Sequence, residues 1–250
     1  MPPRIYAFAN QKGGVGKTTT AVNLAACLAE AGERALVVDL DPQANATSGL
    51  GMRANGTSTY DLLDGAPLAE LAKPTKFANL SLVPSRPELA GAAVELSNHP
   101  DGERYLAQAL SQADGYDFVL IDCPPSLGPL TVNALAAADR VIVPVQAEYF
   151  ALEGLAQLVQ SINLVKTRLN PRLEIAGVIL TMTDSRTRLS ADVEAEVRKH
   201  FGDLVFRTVV PRSVRVAEAP SHGLPVTHYD RASRGADAYW KVAMELVERR

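Results

Sequence analysis

The sequence has little cysteine and no long apolar segment. These absences argue against a disulfide-stapled domain, a cysteine metal site and a membrane-spanning protein. Its two cysteines, Cys27 and Cys123, have neither the spacing of a metal-ligand pair nor the density of a disulfide-stapled domain, so we expect small buried residues. No apolar run approaches the roughly 18 residues that a membrane-spanning helix needs. No signal peptide precedes the first apolar run, so we expect a cytoplasmic protein.

Low-complexity blocks, internal repeats and linker-like stretches are also missing from the 250 residues. With 47% hydrophobic and 21% charged residues, the chain can bury one substantial core, and we predict a single domain over residues 1–250. The formal net charge is −3. Binding to a nucleic acid therefore requires a local basic patch.

Short apolar runs rich in β-branched residues alternate with helical segments, which is typical of βαβ units. The predicted strands are 5–9, 35–39, 80–84, 118–121, 141–144, 175–180 and 205–209. The predicted helices are 18–31, 103–113, 127–137, 152–169, 189–201 and 234–250. Most strands are apolar throughout, which predicts an α/β fold with a mainly parallel, twisted sheet and helices on both faces. Ligands of such sheets bind beyond the carboxyl ends of the strands.

The most informative segment is the loop N-Q-K-G-G-V-G-K-T-T-T at 10–20, directly after the first predicted strand. Its glycines let backbone N–H groups turn inward, and the next helix points its positive dipole end at the same place. Lys17 supplies a charge for the β- and γ-phosphates of a nucleotide, and Thr18 offers a hydroxyl to Mg²⁺. The predicted nucleotide contacts are Lys12, Gly13, Gly14, Val15, Gly16, Lys17, Thr18 and Thr19.

The loop departs from the pattern G-x-x-x-x-G-K-[ST], because Gln11 stands where the first glycine belongs. A second lysine, Lys12, completes the pattern K-G-G-x-G-K-T, known as the deviant Walker A motif. This motif resembles that of the P-loop ATPases related to ParA, MinD and the nitrogenase iron protein. The resemblance implies that Lys12 and Lys17 are catalytic, and that Lys12 reaches across a dimer interface to the other protomer's phosphates. For Lys12 alone, a solvated loop lysine is the alternative.

Two acids one residue apart, Asp39 and Asp41, follow the second predicted strand in the segment V-V-D-L-D-P-Q. Strand alternation cannot bury both carboxylates comfortably, so we expect a cation or a water nearby. By resemblance, Asp41 positions and polarises the water that attacks the γ-phosphate, while Asp39 lies near Mg²⁺ and Thr18. A turn whose Asp caps the next helix is the alternative.

A third acid, Asp122, ends the run F-V-L-I-D, which is similar to a Walker B strand. In that role Asp122 holds Mg²⁺ through a water. The predicted metal residues are therefore Thr18, Asp39 and Asp122. Together with the loop and Asp41, they supply what hydrolysis at a γ-phosphate needs.

The sequence contains no Asn-Lys-x-Asp segment, which GTPases of this class use to bind guanine, so we predict ATP as the nucleotide. Segments 181–184 and 210–213 each follow a predicted strand, at the positions where the family packs adenine. We predict Pro211 and Ser213 as base contacts.

The resemblance runs along essentially the whole chain and is strongest for the chromosomal ParA (Soj) branch. It rests on the segments D-P-Q-A-N-A-T-S-G-L-G (41–51), D-C-P-P-S-L-G (122–128), A-E-Y-F-A-L-E-G (147–154), A-E-A-P-S-H-G (217–223) and S-R-G-A (233–236). Members of this branch dimerise on ATP, bind double-stranded DNA non-specifically, and hydrolyse ATP slowly until a ParB (Spo0J) partner stimulates them. The resemblance thus implies a homodimeric, nucleoid-associated ATPase for chromosome or plasmid segregation.

Basic residues cluster in the C-terminal third, and among them Arg186 and Arg215 match positions that contact DNA in this branch. A few arginines bind duplex DNA weakly, but a dimer doubles the number of phosphate contacts. Dimerisation then acts as a switch for DNA binding. Ordinary solvated charges among acidic neighbours are the alternative.

The main alternative function is that of a MinD-like, membrane-associated positioning ATPase. Such a protein needs a terminal amphipathic helix with a basic face, and segment 239–250 qualifies superficially. Its apolar residues fall on more than one face and its charges include Glu245 and Glu248, so we expect a docked helix and no membrane partner. An iron carrier would need exposed cysteines, and an amide-forming or carboxylating ligase would need a substrate pocket.

Overall fold

A computed structural model describes residues 2–148 and 151–249 of the chain. Its strands are β1 Arg4–Phe8, β2 Ala35–Asp39, β3 Lys73–Pro74, β4 Leu80–Val83, β5 Phe118–Asp122, β6 Arg140–Gln146 and β7 Glu174–Thr181. These described strands form one sheet in the order β3-β4-β2-β5-β1-β6-β7. Every neighbouring pair is parallel except β3 with β4. The predicted mainly parallel sheet is confirmed.

The helices follow the strands in the alternating pattern that the sequence predicts. They are α1 Lys17–Glu30, α2 Asn45–Gly49, α3 Thr59–Leu63, α4 Leu68–Leu71, α5 Leu89–Asn98, α6 Tyr105–Leu110, α7 Pro129–Ala137, α8 Ala151–Arg168, α9 Arg188–Phe201, α10 Val214–Glu218, α11 Val226–Tyr229 and α12 Arg234–Glu248. No described helix is long and apolar enough to cross a membrane.

Helices cover both faces of the sheet because successive strand residues point to opposite faces and are apolar on both. On β5, Val119 and Ile121 pack into one buried cluster, and Phe118 and Leu120 pack into another. The first cluster includes apolar side chains of α5 to α8, and the second is built largely from α1 and α12. The predicted two-sided α/β arrangement is therefore confirmed.

The register of the sheet places its carboxyl ends together at one edge. Asp39 at the end of β2 lies beside Asp122 at the end of β5. Phe8, the last residue of β1, lies on the other side of Asp122. The loop after β1 and the acids after β2 and β5 therefore meet at this edge, although more than 80 residues separate Asp39 from Asp122 in the sequence.

One predicted strand, 205–209, is wrong. Val205 makes an isolated bridge to Val178 and no ladder follows it. Side chains satisfy the backbone there instead: Glu245 accepts the N–H groups of Arg207 and Thr208 at 2.8 and 3.2 Å. The short strand β3 is absent from the prediction.

All of the predicted helices are present, although α6 is shorter than predicted. The prediction omits short helices such as α2 and α3, which span little more than one turn and show no clear periodicity. It also omits α5, which has ten residues. Tyr149 and Phe150 of the 147–154 segment, and Arg250 at the predicted end of α12, lie outside the described residues.

Candidate functional site

The loop after β1 has a backbone conformation that favours glycine. Gly14 and Gly16 have φ angles of 74° and 89°, in the left-handed region that side chains with a Cβ rarely adopt. No side chain caps the first turn of α1, which begins at Lys17. From the neighbouring strand end, Thr181 Oγ1 donates to the Val15 carbonyl at 2.8 Å. The loop and the uncapped helix end therefore form a cradle suited to an anion.

The two lysines of this loop lie in opposite environments. Lys17 is 6% exposed, and its Nζ donates to the Lys12 carbonyl at 3.2 Å. Burial lowers the pKa of Lys17, while the charge of nearby Asp122 opposes this shift. The side chain of Lys12 is 44% exposed, and its Nζ lies 2.6 Å from Glu148 Oε2. Lys17 is therefore directed into this protomer's cradle and Lys12 is directed away from it.

The two buried acids at the strand ends differ in how well they are satisfied. Asp39 Oδ2 accepts hydrogen bonds from Thr47 N at 2.8 Å and Thr47 Oγ1 at 2.6 Å. Its Oδ1 accepts the N–H of Asp41 at 3.3 Å. Neither oxygen of Asp122 accepts a hydrogen bond from the described residues. Because a buried carboxylate without a partner is costly, Asp122 is the acid best suited to a cation.

The pKa values of both acids reflect this burial. Burial raises the pKa of Asp39 to about 6, and the hydrogen bonds from Thr47 oppose the shift. Burial also raises the pKa of Asp122 well above its ordinary value, and the charge of Asp39 raises it further. The Thr18 hydroxyl lies close enough to Asp122 to oppose that rise. A cation beside Asp122 would therefore relieve a large electrostatic cost.

The surroundings of Asp122 fit a magnesium ion that is shared with a phosphate. Mg²⁺ usually keeps several waters and takes one or two carboxylates together with substrate phosphates. In residues 2–148 and 151–249, no group of three or more His, Cys, Asp or Glu residues could hold a metal alone. Thr18 and Asp122 are thus the residues that would hold the ion, whereas the oxygens of Asp39 already accept hydrogen bonds.

A cavity of about 520 Å³ lies over the glycine-rich loop. Its wall includes residues 13–14 and 16–19 of the loop, the apolar side chains of Met182 and Leu224, and the acid Asp41. Asp41 is 6% exposed, and its Oδ1 accepts the N–H of Gln43 at 2.9 Å. The volume lies in the range of small-molecule sites. The cavity thus combines a phosphate cradle, an acid and an apolar wall.

A family model described as an AAA domain matches residues 3–175. The chain is 55% identical over 246 residues to the chromosome-partitioning ATPase Soj of Thermus thermophilus, covering 98% of this chain and 96% of that protein. It is 52% identical over 248 residues to the sporulation initiation inhibitor protein Soj of Bacillus subtilis, covering 98% of each. The chain belongs to the Soj/ParA family of chromosome-partitioning ATPases. The family and the enzyme class predicted from the sequence are therefore confirmed.

A solved structure of similar fold carries a nucleotide. It is the cobyrinic acid a,c-diamide synthase from Mycobacterium smegmatis with bound ATP analogue and magnesium, with a TM-score of 0.86 and 38% identity. The match covers 98% of this chain and 95% of that one. Its name denotes an amide-forming enzyme, but the Soj relatives are more similar to this chain, at 52% and 55% identity.

The predicted base contacts, Pro211 and Ser213, do not line the cavity. Pro211 forms a parallel bridge with Thr183, and Ser213 stands before the first residue of α10. Met182, next to Thr183, does line the cavity, and its φ of 52° is unusual for a residue other than glycine. Base contact by Pro211 and Ser213 stays a prediction.

The predicted DNA contacts, Arg186 and Arg215, are exposed and already paired with acids. Arg186 makes a two-pronged contact with Asp184, at 2.9 Å from Nε and 2.7 Å from Nη2. Arg215 lies 3.1 Å from Glu218 and 3.2 Å from Asp230. The hydrogen bonds and charge of Arg186 hold the pKa of Asp184 below its ordinary range. A phosphate must therefore compete with these acids for the two arginines.

The sequence prediction omits several polar residues that the structure places around the site. They are Thr47, Ser85 and Glu148. Ser85 follows β4 by two residues, so the rule that polar residues after strands mark a site could have identified it. Glu148 follows β6 by two residues and carries the same signal, but only the folded chain shows that it lies next to Lys12.

Proposed function

We propose that this protein is an ATP-dependent dimerising switch for the segregation of a chromosome or plasmid, working as one deviant Walker A domain over residues 1–250. The form without nucleotide or with ADP is a monomer. ATP and Mg²⁺ bring two protomers together face to face, and each Lys12 enters the other protomer's site. The dimer binds double-stranded DNA without sequence preference, in the cytoplasm on the nucleoid, and a ParB/Spo0J-like partner stimulates hydrolysis.

The observation that carries this proposal is the position of Lys12. Its side chain does not line the cavity of its own protomer and is 44% exposed beside Glu148. Lys17 alone supplies a lysine charge from inside the loop. A triphosphate carries more negative charge than one ammonium offsets, so a second cation from outside the protomer adds stabilisation where charge develops. A second copy of this chain presents that cation.

ATP and Mg²⁺ are the ligands that the site supports best. The cradle suits phosphates, and Asp122 and the Thr18 hydroxyl would hold the ion that accompanies them. Magnesium, when bound, neutralises charge on the phosphate oxygens. The absence of an Asn-Lys-x-Asp segment from the sequence and the ATP analogue in the similar structure favour adenine over guanine.

Asp41 is the residue that we assign to hydrolysis. It lies in the wall of the cavity, nearly buried, and its carboxylate is oriented by the N–H of Gln43. A carboxylate at this position can orient a water for attack on the terminal phosphate. Intrinsic turnover is expected to be slow, because the ATP-bound dimer waits for the ParB/Spo0J-like partner that stimulates hydrolysis.

Binding to DNA is assigned to Arg186 and Arg215. Both are exposed, with 85% and 53% of their side-chain surfaces accessible. Their acidic neighbours reduce the charge available in one protomer, so a single copy is expected to bind duplex DNA weakly. Two copies joined by ATP double the contacts and make retention on DNA depend on the nucleotide.

A membrane-associated function like that of MinD has less support. Helix α12 packs against α1 and buries Tyr239, Val242 and Leu246 in the core. Release of this helix to a lipid surface would expose those side chains to water at a cost of about 1.5–3 kcal/mol each. No feature of the described residues favours that release.

The decisive experiment measures the mass of purified Asp41→Ala protein by light scattering, with ADP and with ATP, in the presence of Mg²⁺. We expect a monomer with ADP and a dimer with ATP, because loss of the water-orienting acid traps the triphosphate. A matched double variant, Asp41→Ala with Lys12→Ala, should stay monomeric with ATP. A monomer of Asp41→Ala under saturating ATP would contradict the proposal.

The same preparation tests DNA retention. Asp41→Ala with Arg186→Glu or Arg215→Glu should still dimerise with ATP but lose duplex DNA at matched salt. Asp41→Ala with Arg104→Glu, an equal change of charge at an exposed position just before α6, is the control and should retain DNA. Equal retention by Asp41→Ala and by its three double variants would show that Arg186 and Arg215 are not part of the DNA-binding surface.

A further inference from the structure

The turn that carries Asp41 is held by a closed network of buried polar groups. Thr47 Oγ1 donates to Asp39 Oδ2 at 2.6 Å and accepts the N–H of Ser85 at 2.9 Å. Ser85 Oγ in turn donates to the Asp41 carbonyl at 2.7 Å. Asp41 N closes the ring by donating to Asp39 Oδ1 at 3.3 Å. The network joins the ends of β2 and β4 to the start of α2.

All four members of this network are deeply buried. Asp39 is fully buried, Thr47 and Ser85 are each 2% exposed, and Asp41 is 6% exposed. Hydrogen bonds at such low exposure are strengthened by the low local dielectric, and an unmade one is costly. The network is therefore stiff, and it holds the backbone of Asp41 from both its N–H and its carbonyl.

The carboxylate of Asp41 depends on this backbone. The Ala44 N–H donates to the Asp41 carbonyl at 2.9 Å, and Ala44 has a left-handed φ of 54°. This tight turn brings the Gln43 N–H to Asp41 Oδ1 at 2.9 Å. A change in the position of the Asp41 carbonyl therefore moves the carboxylate relative to the cradle of Lys17 and Thr18.

We propose that Thr47 and Ser85 are positioning residues for hydrolysis, and that they act by fixing the Asp41 turn through the anchor of Asp39. This inference rests on the proposed role of Asp41. Neither residue lines the cavity, so we expect neither to contact the nucleotide. Their loss should slow the chemical step and leave nucleotide affinity nearly unchanged.

A pair of substitutions at one position separates the hydroxyl from side-chain size. Thr47→Val keeps the shape and the backbone bond to Asp39 but removes both hydrogen bonds of the hydroxyl, whereas Thr47→Ser keeps the hydroxyl. We expect the kcat of Thr47→Val to fall about tenfold to a hundredfold, because a misplacement of about 1 Å can cost that much. The KM for ATP should stay within about twofold, since binding and chemistry depend on different contacts. Thr47→Ser should restore kcat to within about threefold of the wild type.

Ser85→Ala is the second variant, and it keeps the proposal testable if Thr47→Val does not fold. It should show the same loss of kcat without a change in KM. Thr75→Val is the matched control, because Thr75 Oγ1 donates to the Leu80 carbonyl at 2.8 Å at the other end of β4. Its kcat should equal that of the wild type. Circular dichroism at the assay temperature checks that each variant is folded.

The outcomes distinguish this inference from the proposed function. If Asp41→Ala retains full ATPase activity, the assignment of Asp41 is wrong and the network has no catalytic role. If Asp41→Ala is inactive but folded Ser85→Ala and Thr47→Val keep wild-type kcat, only the positioning role is overturned. A fall in kcat/KM that comes entirely from a rise in KM would also overturn the positioning role. So would a failure of Thr47→Ser to restore kcat.

Discussion

The aspartates at the two ends of strand β5 differ in their hydrogen bonding and in the direction of their pKa shifts. Asp117 precedes the strand and accepts three hydrogen bonds from Arg34, at 2.8, 3.0 and 2.9 Å. These bonds lower the pKa of Asp117 to about 2. Asp122 ends the strand, accepts none from the described residues, and has a pKa that burial raises well above its ordinary value. Only five positions in the sequence separate Asp117, whose carboxylate is hydrogen-bonded, from Asp122, whose carboxylate is not bonded in this way by any described residue.

The difference separates a stabilising edge of the sheet from a functional edge. At the amino edge, Asp139 Oδ2 also accepts a backbone hydrogen bond, from Ile5 N at 2.9 Å. At the carboxyl edge, the chain tolerates two adjacent buried acids, Asp39 and Asp122. A fold keeps such a costly arrangement where a ligand supplies the missing charge. The comparison therefore supports the proposal that the carboxyl edge is the working side of this Soj/ParA family member.

The largest expected effect comes from Asp122→Asn. Removal of the charge that would hold the ion should lower Mg²⁺-dependent ATP turnover by about 10–100-fold. The thermal midpoint of the protein without nucleotide should not fall, because the substitution also removes repulsion with Asp39. ATPase assays over a range of Mg²⁺ concentrations and a melting curve check the two parts. A lower midpoint with normal turnover would reverse our comparison of the two edges.

An intermediate effect is expected from Asp117→Asn at the other end of the strand. Because Arg34 and Asp117 are partly exposed, with 56% and 35% of their side chains accessible, water screens the pair and the loss is modest. We expect the thermal midpoint at neutral pH to fall by about 2–4 °C. The kcat should not change, and a change in kcat at constant stability would place Asp117 in the working region.

The pH dependence of that variant sharpens the prediction. The pKa of Asp117 is lowered in the folded protein to about 2, from an ordinary value of 3.8. Its stabilising contribution is therefore complete above the unfolded pKa and is lost as the pH falls from about 4 toward 2. The difference between the wild type and Asp117→Asn in urea unfolding should close over that interval. A gap that persists at the acid end would show that the ion pair is not its source.

The smallest effect is expected from Asp139→Ala. Asp139 is exposed, and the Ile5 N–H that it accepts can bind water instead. We expect a loss of stability below about 0.5 kcal/mol and no change in turnover. Urea unfolding and an ATPase assay on the same preparation provide the check. A loss as large as that of Asp117→Asn would show that the backbone contact, rather than the ion pair, stabilises this edge.

Local patterns in the sequence predict the parts of this protein that depend on local chemistry. The loop around Gly14 and Gly16 is recognisable because the phosphate cradle needs glycines at fixed spacing. The strands that are apolar throughout predict a sheet covered on both faces, and the structure confirms it. The prediction of a strand at 205–209 is wrong because Glu245, which is distant in the sequence, accepts the backbone N–H groups of Arg207 and Thr208.

Within the site, prediction was strongest for residue types and weakest for partners. Asp39 was predicted beside the metal, yet its oxygens accept hydrogen bonds from Thr47 and Asp41. Its part in binding Mg²⁺ stays a prediction. Ser85 was not predicted although it follows a strand, and its hydrogen bond to the Asp41 carbonyl appears only when β4 is placed beside β2.

The amino-acid sequence by itself determined the fold class and the phosphate-binding loop, because each follows from short-range periodicity or from residues at fixed spacing. The family was indicated by the resemblance of its motifs and confirmed by the relatives. Tertiary structure alone decided which acids are satisfied, that Lys12 lies against Glu148 outside its own cavity, and that Thr47 and Ser85 hold the Asp41 turn. The physical reason is that burial and hydrogen bonding depend on neighbours in space. Parallel strands bring residues that are far apart in the chain to one edge of the sheet. There, aspartates of the same chemistry differ in their hydrogen bonds and pKa values because their neighbours differ.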